Sequence, residues 1–301
     1  MDIDYFANTT LAQTSRTLFN KKLQQFVSFM PQQNRNLDYI VDNPELASKI
    51  LTQQTTITQT SANRHMFYSA IVAYIKHTDL GKKRSEPLKN RWIKIQKTNW
   101  EERRQQSINN EPSYNQIEVA KTVDWQTVIK KRDSLPSGSN ERLLLSLYTY
   151  LPPVRADYFD VRINPKSTEG KINSLLLDKT RPENSYIIIH DFKTATKYKE
   201  IKHELPSALF NEIHESLRQK PRSYLFTMQT DAARPYDRGS FSKWANKVLQ
   251  ELFNVPMTLT SLRHLYVSTL DFNKTRASDL EKIGNSMGHS LAMQKGYQWI
   301  S

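Results

Sequence analysis

The 301-residue chain contains no cysteine. That absence removes disulfides, thiolate zinc sites and cysteine nucleophiles together, and it fits a reducing compartment. Glycine is scarce, at 7 residues, which argues against a glycine-rich phosphate loop and against a β-rich barrel. No run approaches the roughly 18 consecutive apolar residues of a membrane span. The opening stretch "MDIDYFANTTLAQTSRTLFNKKLQQFVSFM" has no basic segment leading into an apolar block, so no secretory leader is expected. Internal repeats are absent. Acidic residues are outnumbered: 30 Asp+Glu stand against 43 Lys+Arg, a formal net charge of +13.

That excess of positive charge predicts a polyanionic partner, and nucleic acid is the commonest one. A basic soluble enzyme without such a partner is the plainer alternative. A membrane surface is disfavoured, because no single helical stretch combines a strong apolar face with a Lys/Arg face. Hydrophobic residues make up 38% of the chain, enough to build a sizeable core, and the length leaves room for two domains.

The first region reads as helical. From Leu11 to Met30 the apolar residues Leu18, Phe19, Leu23, Phe26 and Val27 fall mostly three or four apart, and Leu37 to Leu51 repeats the spacing. Ser61 to His77 does so again, with Met66, Phe67, Ala70, Ile71, Tyr74 and Ile75 as a packing stripe. "KKRSEPLKNRWIKIQKTNWEERR" (Lys82 to Arg104) is a basic helix carrying two tryptophans; it is either a solvated face or one that follows a DNA backbone. "QQSINNEPSYNQ" has no apolar period and reads as a linker. The expected division is therefore a helical domain over 1–110, a linker over 111–120 and a second domain over 121–301.

The second region mixes helices with a few strands. "NERLLLSLYTYL" is an apolar helix stopped by Pro152-Pro153. "YFDVRIN", "SYIIIHDF" and "YKEIKHELP" read as strands, and "SYLFTM" as a short buried strand or extended segment. "SALFNEIHESLRQ", "GSFSKWANKVLQELF" with Ser240 as its cap, "TLTSLRHLYVSTL" and "SDLEKIGNSMG" bounded by Ser278 and Gly288 read as helices. The expected class is mostly α, with a small antiparallel sheet in the second domain. Tyr148, Tyr150, Tyr158, Trp244 and Trp299 are expected to be packing aromatics, Trp299 near the end of the chain's last helix.

Four pieces of this region belong together: "LPPVRADY" with Arg155, "HDFKTATKYKEIKHELP" with Lys193, "TLTSLRHLYVS" with Arg263, and "MGHSLAMQKGYQWIS" with His289 and Tyr297. In this order and context the sequence resembles the tyrosine recombinases, or phage-type integrases. Their catalytic domains carry Arg, a Lys in a β-hairpin, His-x-x-Arg, His or Trp, then Tyr. "SLRH" and "MGHS" are similar to that family's "xLRH" and "LGHS". The resemblance spans Thr122 to Ser301 and, more loosely, the helical first region, which looks like the family's core-binding domain. The "PPxRxDY" form and the spacing from His289 to Tyr297 look like the members from eukaryotic large DNA viruses and related mobile elements.

The resemblance implies a site-specific DNA recombinase that cleaves and rejoins strands through a 3′-phosphotyrosyl intermediate, without metal, ATP or other cofactor. Arg155 and Arg263 would clamp the scissile phosphate, since guanidiniums bind two anionic oxygens in one plane. Lys193 would protonate the leaving 5′-oxygen, with Lys197 and Lys199 as competitors on the same hairpin. His289 would donate to the phosphate and Tyr297 would attack it. The implied partner is double-stranded DNA clamped between the two domains, with a homotetramer on DNA and a monomer off it, inside a host cell wherever the target lies.

This sequence departs from the pattern at three points. Thr260 stands where the family has histidine, so it is expected to contact phosphate without accepting a proton. His264 follows Arg263 directly, about 100° around a helix, and is no simple substitute. Asp157 lies two residues after Arg155, where the family often has an acid at three. The chain runs only four residues past Tyr297, so a C-terminal helix docking on a neighbour is not expected. A type IB topoisomerase, which uses similar residues on one duplex, and a binding protein of the same fold with impaired catalysis remain open alternatives.

Overall fold

The computed structural model describes residues 3–53, 60–108, 112–167 and 171–298. The chain divides into two compact units, Met1–Glu111 and Pro112–Ser301.

The first unit is helical: α1 (Gln13–Phe29), α2 (Leu37–Asp42), α3 (Pro44–Gln53), α4 (Ser61–His77), α5 (Asp79–Lys82) and α6 (Glu86–Ile108). The single helix expected from Leu37 to Leu51 is broken in two at Asn43-Pro44. Proline lacks an amide hydrogen and pushes the preceding residue out of helical geometry, and Asn43 sits at φ −125°, ψ 65°. Helix α4 is the centre of this unit. Phe67, Tyr68, Ala70, Ile71, Val72, Ala73, Tyr74 and Ile75 are all buried, so the helix is enclosed rather than one-sided. Thr78 finishes it and starts the next: its Oγ1 donates to the Tyr74 carbonyl at 2.8 Å and accepts from the Gly81 amide at 3.0 Å. On the basic helix α6 the two tryptophans part company. Trp92 is fully buried, whereas Trp100 is 46% exposed beside Lys94, Lys97, Arg103 and Arg104, which are exposed too.

The second unit begins with α7 (Tyr114–Thr122), α8 (Trp125–Ser134) and α9 (Asn140–Tyr150). Helix α7 occupies most of the span expected to be linker. Its start is a reciprocal cap, in which the Ser113 hydroxyl accepts from the Gln116 amide and the Gln116 side chain accepts from the Ser113 amide. Then come β1 (Arg162–Ile163), β2 (Ser174–Leu176), β3 (Tyr186–Ile189), α10 (Ala195–Tyr198), β4 (Ile201–Glu204), α11 (Ser207–Gln219), β5 (Thr227–Met228) and β6 (Asp231–Pro235). The unit ends with α12 (Arg238–Phe253), α13 (Leu259–Ser268), α14 (Ala277–Ser286) and α15 (Leu291–Lys295). The main sheet runs β1-β2-β3-β4. It is antiparallel except for the short parallel β1–β2 pair, and β5–β6 forms a separate antiparallel ribbon.

Three local expectations change. The strand in "YFDVRIN" shrinks to Arg162–Ile163, and β2 and β6 were not legible as strands. The cap of α12 is Asp237, with Ser240 as its reciprocal partner three residues on. Helix α14 is entered from Arg276 without a side-chain cap, and Ser278 lies inside it.

The core of this unit gathers α9, whose Leu143, Leu144, Leu147 and Tyr148 are buried, with the inner face of β3 and β4 and with α11, α12 and α13. A two-pronged ion pair fastens α9 to α11: Arg142 donates to both carboxylate oxygens of Glu212, at 2.8 and 2.6 Å. Tyr148 and Tyr158 are fully buried, edge to face, Trp244 stacks on Tyr236, and Tyr150 is half-buried beneath Arg132. Trp299 lies outside the described residues.

In the first unit the Trp92 Nε1–H donates to the Val41 carbonyl at 2.8 Å, satisfying an acceptor at the end of α2. Trp92→Phe keeps a ring in place but leaves that acceptor unpaired. The expected cost is about 1–3 kcal/mol, read as a lower denaturation midpoint in urea.

Candidate active site

Helix α13 sets the site. Thr258 caps it, its hydroxyl accepting from the Ser261 amide at 3.1 Å, and Leu259, Leu262, Leu265 and Val267 turn it into the core. That register carries Arg263 inward as well, to 0% exposure. Its Nη1 donates to the carbonyls of Pro153 at 2.6 Å and Met287 at 3.2 Å, and its Nη2 lies 2.6 Å from His289 Nδ1. The guanidinium carbon sits 4.7 Å from the centre of the Tyr297 ring. Among the described residues no carboxylate forms a salt bridge with it, and its Nε is buried without a partner.

Arg155 lies at the bend that follows α9 and Pro152-Pro153. Tyr148 donates its hydroxyl to the Arg155 carbonyl, and Asp157 accepts from the Arg155 amide at 3.1 Å. Asp157 is 2% exposed, and burial raises its carboxyl against the opposing pull of Arg238, with which it forms an ion pair. The nearby carboxylate is thus taken up by Arg238, leaving Arg155 and Arg263 as two cations whose repulsion is felt by Arg263.

Tyr297 lies just past the end of α15, its amide donating to the Gln294 carbonyl at 2.9 Å. Burial works to raise the pKa of its hydroxyl. The charges of Arg263 and Arg155, and hydrogen bonds to both, outweigh that and bring it below the ordinary tyrosine value. The His289 ring stacks on Tyr297 at 5.3 Å between centroids with 20° between planes. Because an arginine nitrogen can only donate, His289 Nδ1 accepts and its proton sits on Nε2, which is buried with no partner. Burial, then Arg263 and Arg155, push the pKa of His289 down to about 3, so it is a neutral donor at pH 7. Gly288 makes the turn into His289 at φ +70°, a conformation that favours glycine, and a Cβ there would crowd Ile201 and Phe192 at 3.2 and 3.3 Å.

Lys193 is exposed on the connection between β3 and β4. The residues around it are fastened on both sides: Asp191 accepts from Arg238 Nη2 at 2.9 Å, and the Thr194 hydroxyl donates to the Gly288 carbonyl at 2.7 Å. Lys193 therefore stands on a short tether between the Arg155 side and the His289 turn. Together with Arg155, Arg238 and the exposed Thr260 it lines a cleft of about 600 Å³. Lys197 instead lies over the ring of Tyr198, 5.2 Å from its centre, and neither it nor Lys199 lines that cleft.

The structure thus brings Arg155, Arg263, His289 and Tyr297 into one cluster and places Lys193 and Thr260 on the adjoining cleft. Arg238 had no signal in the sequence beyond its charge at a helix start. His264 was visible beside Arg263, but its contacts depend on α7 and on the segment after α15. No group of three or more metal-ligating side chains occurs among the described residues, and no helix among them is long and apolar enough to cross a membrane.

Burial also holds His203 and His264 down to about 4. With His289 they are neutral when folded, whereas an unfolded chain takes up protons near pH 6.5. The folded state binds fewer protons in that window. Stability should be full above about pH 6.5 and fall as pH drops toward 4, by about 1–3 kcal/mol per histidine. A thermal midpoint measured from pH 4 to 7 checks this, and His203→Met should flatten part of the decline without touching the cleft.

No family model matches the sequence. No characterised relative matches it either. Among solved structures the chain is similar to a XerA recombinase, at 11% identity and a TM-score of 0.42, over 97% of this chain and 89% of that one. It is also similar to the Tn1549 transposon integrase solved in complex with transposon right end DNA, at 12% identity and a TM-score of 0.39, over 95% and 94%. Both are tyrosine recombinases, the family whose motifs the sequence resembles.

Proposed function

We propose that this chain is a tyrosine recombinase, a metal- and ATP-independent enzyme that breaks and rejoins DNA strands through a 3′-phosphotyrosyl intermediate. The observation that carries the reading is the placement of Tyr297, its ring 4.7 Å from the Arg263 guanidinium and stacked on His289, where the charges of Arg263 and Arg155 lower its pKa against the effect of burial. A packing tyrosine needs no such surroundings, and an attacking one does.

In the reaction the scissile phosphate sits between Arg155 and Arg263, which neutralise the charge that grows on its non-bridging oxygens. Tyr297, having released its proton to solvent water, attacks phosphorus. A bond from Tyr297 Oη to phosphorus forms and the bond to the 5′-oxygen breaks. The Lys193 ammonium gives its proton to that oxygen, which leaves as a hydroxyl. His289 donates from Nε2 to a phosphate oxygen, a role suited to a neutral imidazole, and Thr260 offers a hydroxyl to the same phosphate. Rejoining is the reverse attack by a 5′-hydroxyl. The tyrosyl ester conserves the energy of the broken bond, so no nucleotide is consumed.

Unit 1–111 is the DNA-clamping partner of the catalytic unit, with the exposed lysines and arginines of α6 as its phosphate contacts. Strand exchange calls for two duplexes, and a tetramer on DNA supplies the four tyrosines it needs.

Incubation with supercoiled plasmid in EDTA, stopped with detergent, tests the chemistry, with nicked suicide duplexes from the element's own ends covering a strict site requirement. Wild type should give relaxed plasmid or cleaved duplex and a phosphotyrosine mapping to Tyr297, whereas Tyr297→Phe should bind DNA and give no adduct. Salt-sensitive binding with no adduct on either substrate would instead identify a binding protein. Relaxation without exchange between two duplexes would identify a topoisomerase.

A bridging 5′-sulfur in place of oxygen makes a leaving group that needs no proton. Lys193→Ala should slow cleavage of the ordinary substrate by about 100-fold or more and cleave the sulfur substrate at nearly the wild-type rate. Lys197→Ala and Lys199→Ala should leave both rates close to wild type.

A further inference from the structure

Next to the catalytic cluster lies a second buried histidine that the proposed chemistry does not use. His264 is 8% exposed, on the face of α13 adjacent to Arg263. Its Nδ1 lies 2.8 Å from the Tyr297 backbone carbonyl, and its ring meets the Tyr297 ring at 4.8 Å between centroids. Its Nε2 lies 2.8 Å from the side-chain nitrogen of Gln116, on α7.

The proton positions follow from the partners. The Ser113 amide donates to Gln116 Oε1 at 2.7 Å, so the other end of that amide is its NH₂ group. An NH₂ donates, so His264 Nε2 accepts and the ring proton sits on Nδ1, where it donates to the Tyr297 carbonyl. Every member of the series Ser113, Gln116, His264, Tyr297 is satisfied in one direction only. The two histidines around Tyr297 consequently hold opposite tautomers: His289 carries its proton on Nε2 and His264 on Nδ1.

We propose that His264, with its tautomer fixed by Gln116, is a positioning residue that ties down the backbone of Tyr297 and holds its ring over Arg263. Tyr297 needs such a tie because it stands past the end of α15, a helix of five residues, where its amide donates to the Gln294 carbonyl and, among the described residues, no longer helix carries it. The tie also connects the attacking group to the first turn of α7, where the chain enters the second unit. A shift of that turn is thereby transmitted to the tyrosine through two side chains.

This inference rests on Tyr297 as nucleophile for its kinetic arm only, and the test has a second arm that does not. The two guanidiniums depress the Tyr297 hydroxyl, so its titration reports its position. NMR of ring-labelled tyrosine, assigned by difference against Tyr297→Phe, follows that titration in DNA-free protein. Cleavage of a suicide duplex follows the reaction.

His264→Phe keeps a buried ring but loses the donor; Tyr297 should titrate closer to about 10 and cleavage should drop about 100-fold, with DNA affinity unchanged. His264→Asn places an amide donor near the former Nδ1 and should recover cleavage to within about 10-fold of wild type. Gln116→Met releases the tautomer from outside the core and should shift both readouts the same way by a smaller amount; it decides the matter if His264→Phe does not fold. Wild-type titration and cleavage in both His264→Phe and Gln116→Met would overturn the proposal, as would equal defects in the Phe and Asn variants. A wild-type protein that never cleaves, while His264→Phe shifts the titration and His264→Asn does not, would overturn the recombinase reading and leave the positioning role standing.

Discussion

The site depends on one buried charge with which no carboxylate forms a salt bridge among the described residues. Arg263 is fully buried, and carbonyl dipoles and a neutral imidazole take its hydrogen bonds in place of a carboxylate. A buried guanidinium without a counter-ion is expensive, several kcal/mol even after the surroundings relax. What offsets the expense here is fixed geometry: Pro153, Met287 and His289 come from two separate segments and converge on the same group. Asp157 forms its ion pair with Arg238 and acts on Arg263 more weakly than Tyr297 and Arg155 do. The charges of Arg263 and Arg155 ease the ionisation of Tyr297, and in the proposed reaction they are what an incoming phosphate meets.

The same constraint decides the histidines. Burial first, and then the charges of Arg263 and Arg155, keep His289 neutral, which suits it to donate a hydrogen bond rather than to act as an acid. In the proposed reaction, proton donation to the leaving oxygen falls to a group on the open cleft, and Lys193 lines that cleft. Its connection is tied to Arg238 through Asp191 and to the turn before His289 through Thr194, so the exposed ammonium has a bounded reach. Arg238 thus serves both ends of the cleft, pairing Asp157 beside Arg155 and Asp191 beside Lys193.

His264 shows how a residue can sit in plain view while its contacts stay hidden. On a helical wheel it points away from Arg263, and by that measure it lies off the catalytic face. The segment carrying Tyr297 folds back over α13, so both the arginine and its neighbour face the tyrosine, one under its ring and one at its backbone. Helix α7 closes the arrangement from a stretch whose asparagines, serine and proline spoke for a linker. Their local chemistry is that of a helix start, and Ser113 and Gln116 are its reciprocal cap.

Much of this protein was written locally. The apolar spacing in Ser61–His77 and Asn140–Leu151 was legible as helix because a recurrence of about 3.6 residues is a property of neighbours in the chain, even though both helices are buried on more than one side. The prolines at 152 and 153 and the glycine at 288 fixed where helices end, because backbone geometry at those residues is intrinsic. The order Arg155, Lys193, Arg263, His289, Tyr297 was legible for the same reason: each lies in a short motif of its own. The break at Asn43-Pro44, the reciprocal cap at Asp237 and the helix at Tyr114 are also locally encoded, in proline and cap chemistry rather than in apolar spacing. What only the tertiary structure decided is which charges meet. That Asp157 serves Arg238 and not Arg263, that Lys193 and not Lys197 reaches the cleft, and that two histidines hold opposite tautomers all depend on distances between residues far apart in sequence. Charge and hydrogen bonding act through space, and no spacing along the chain records them.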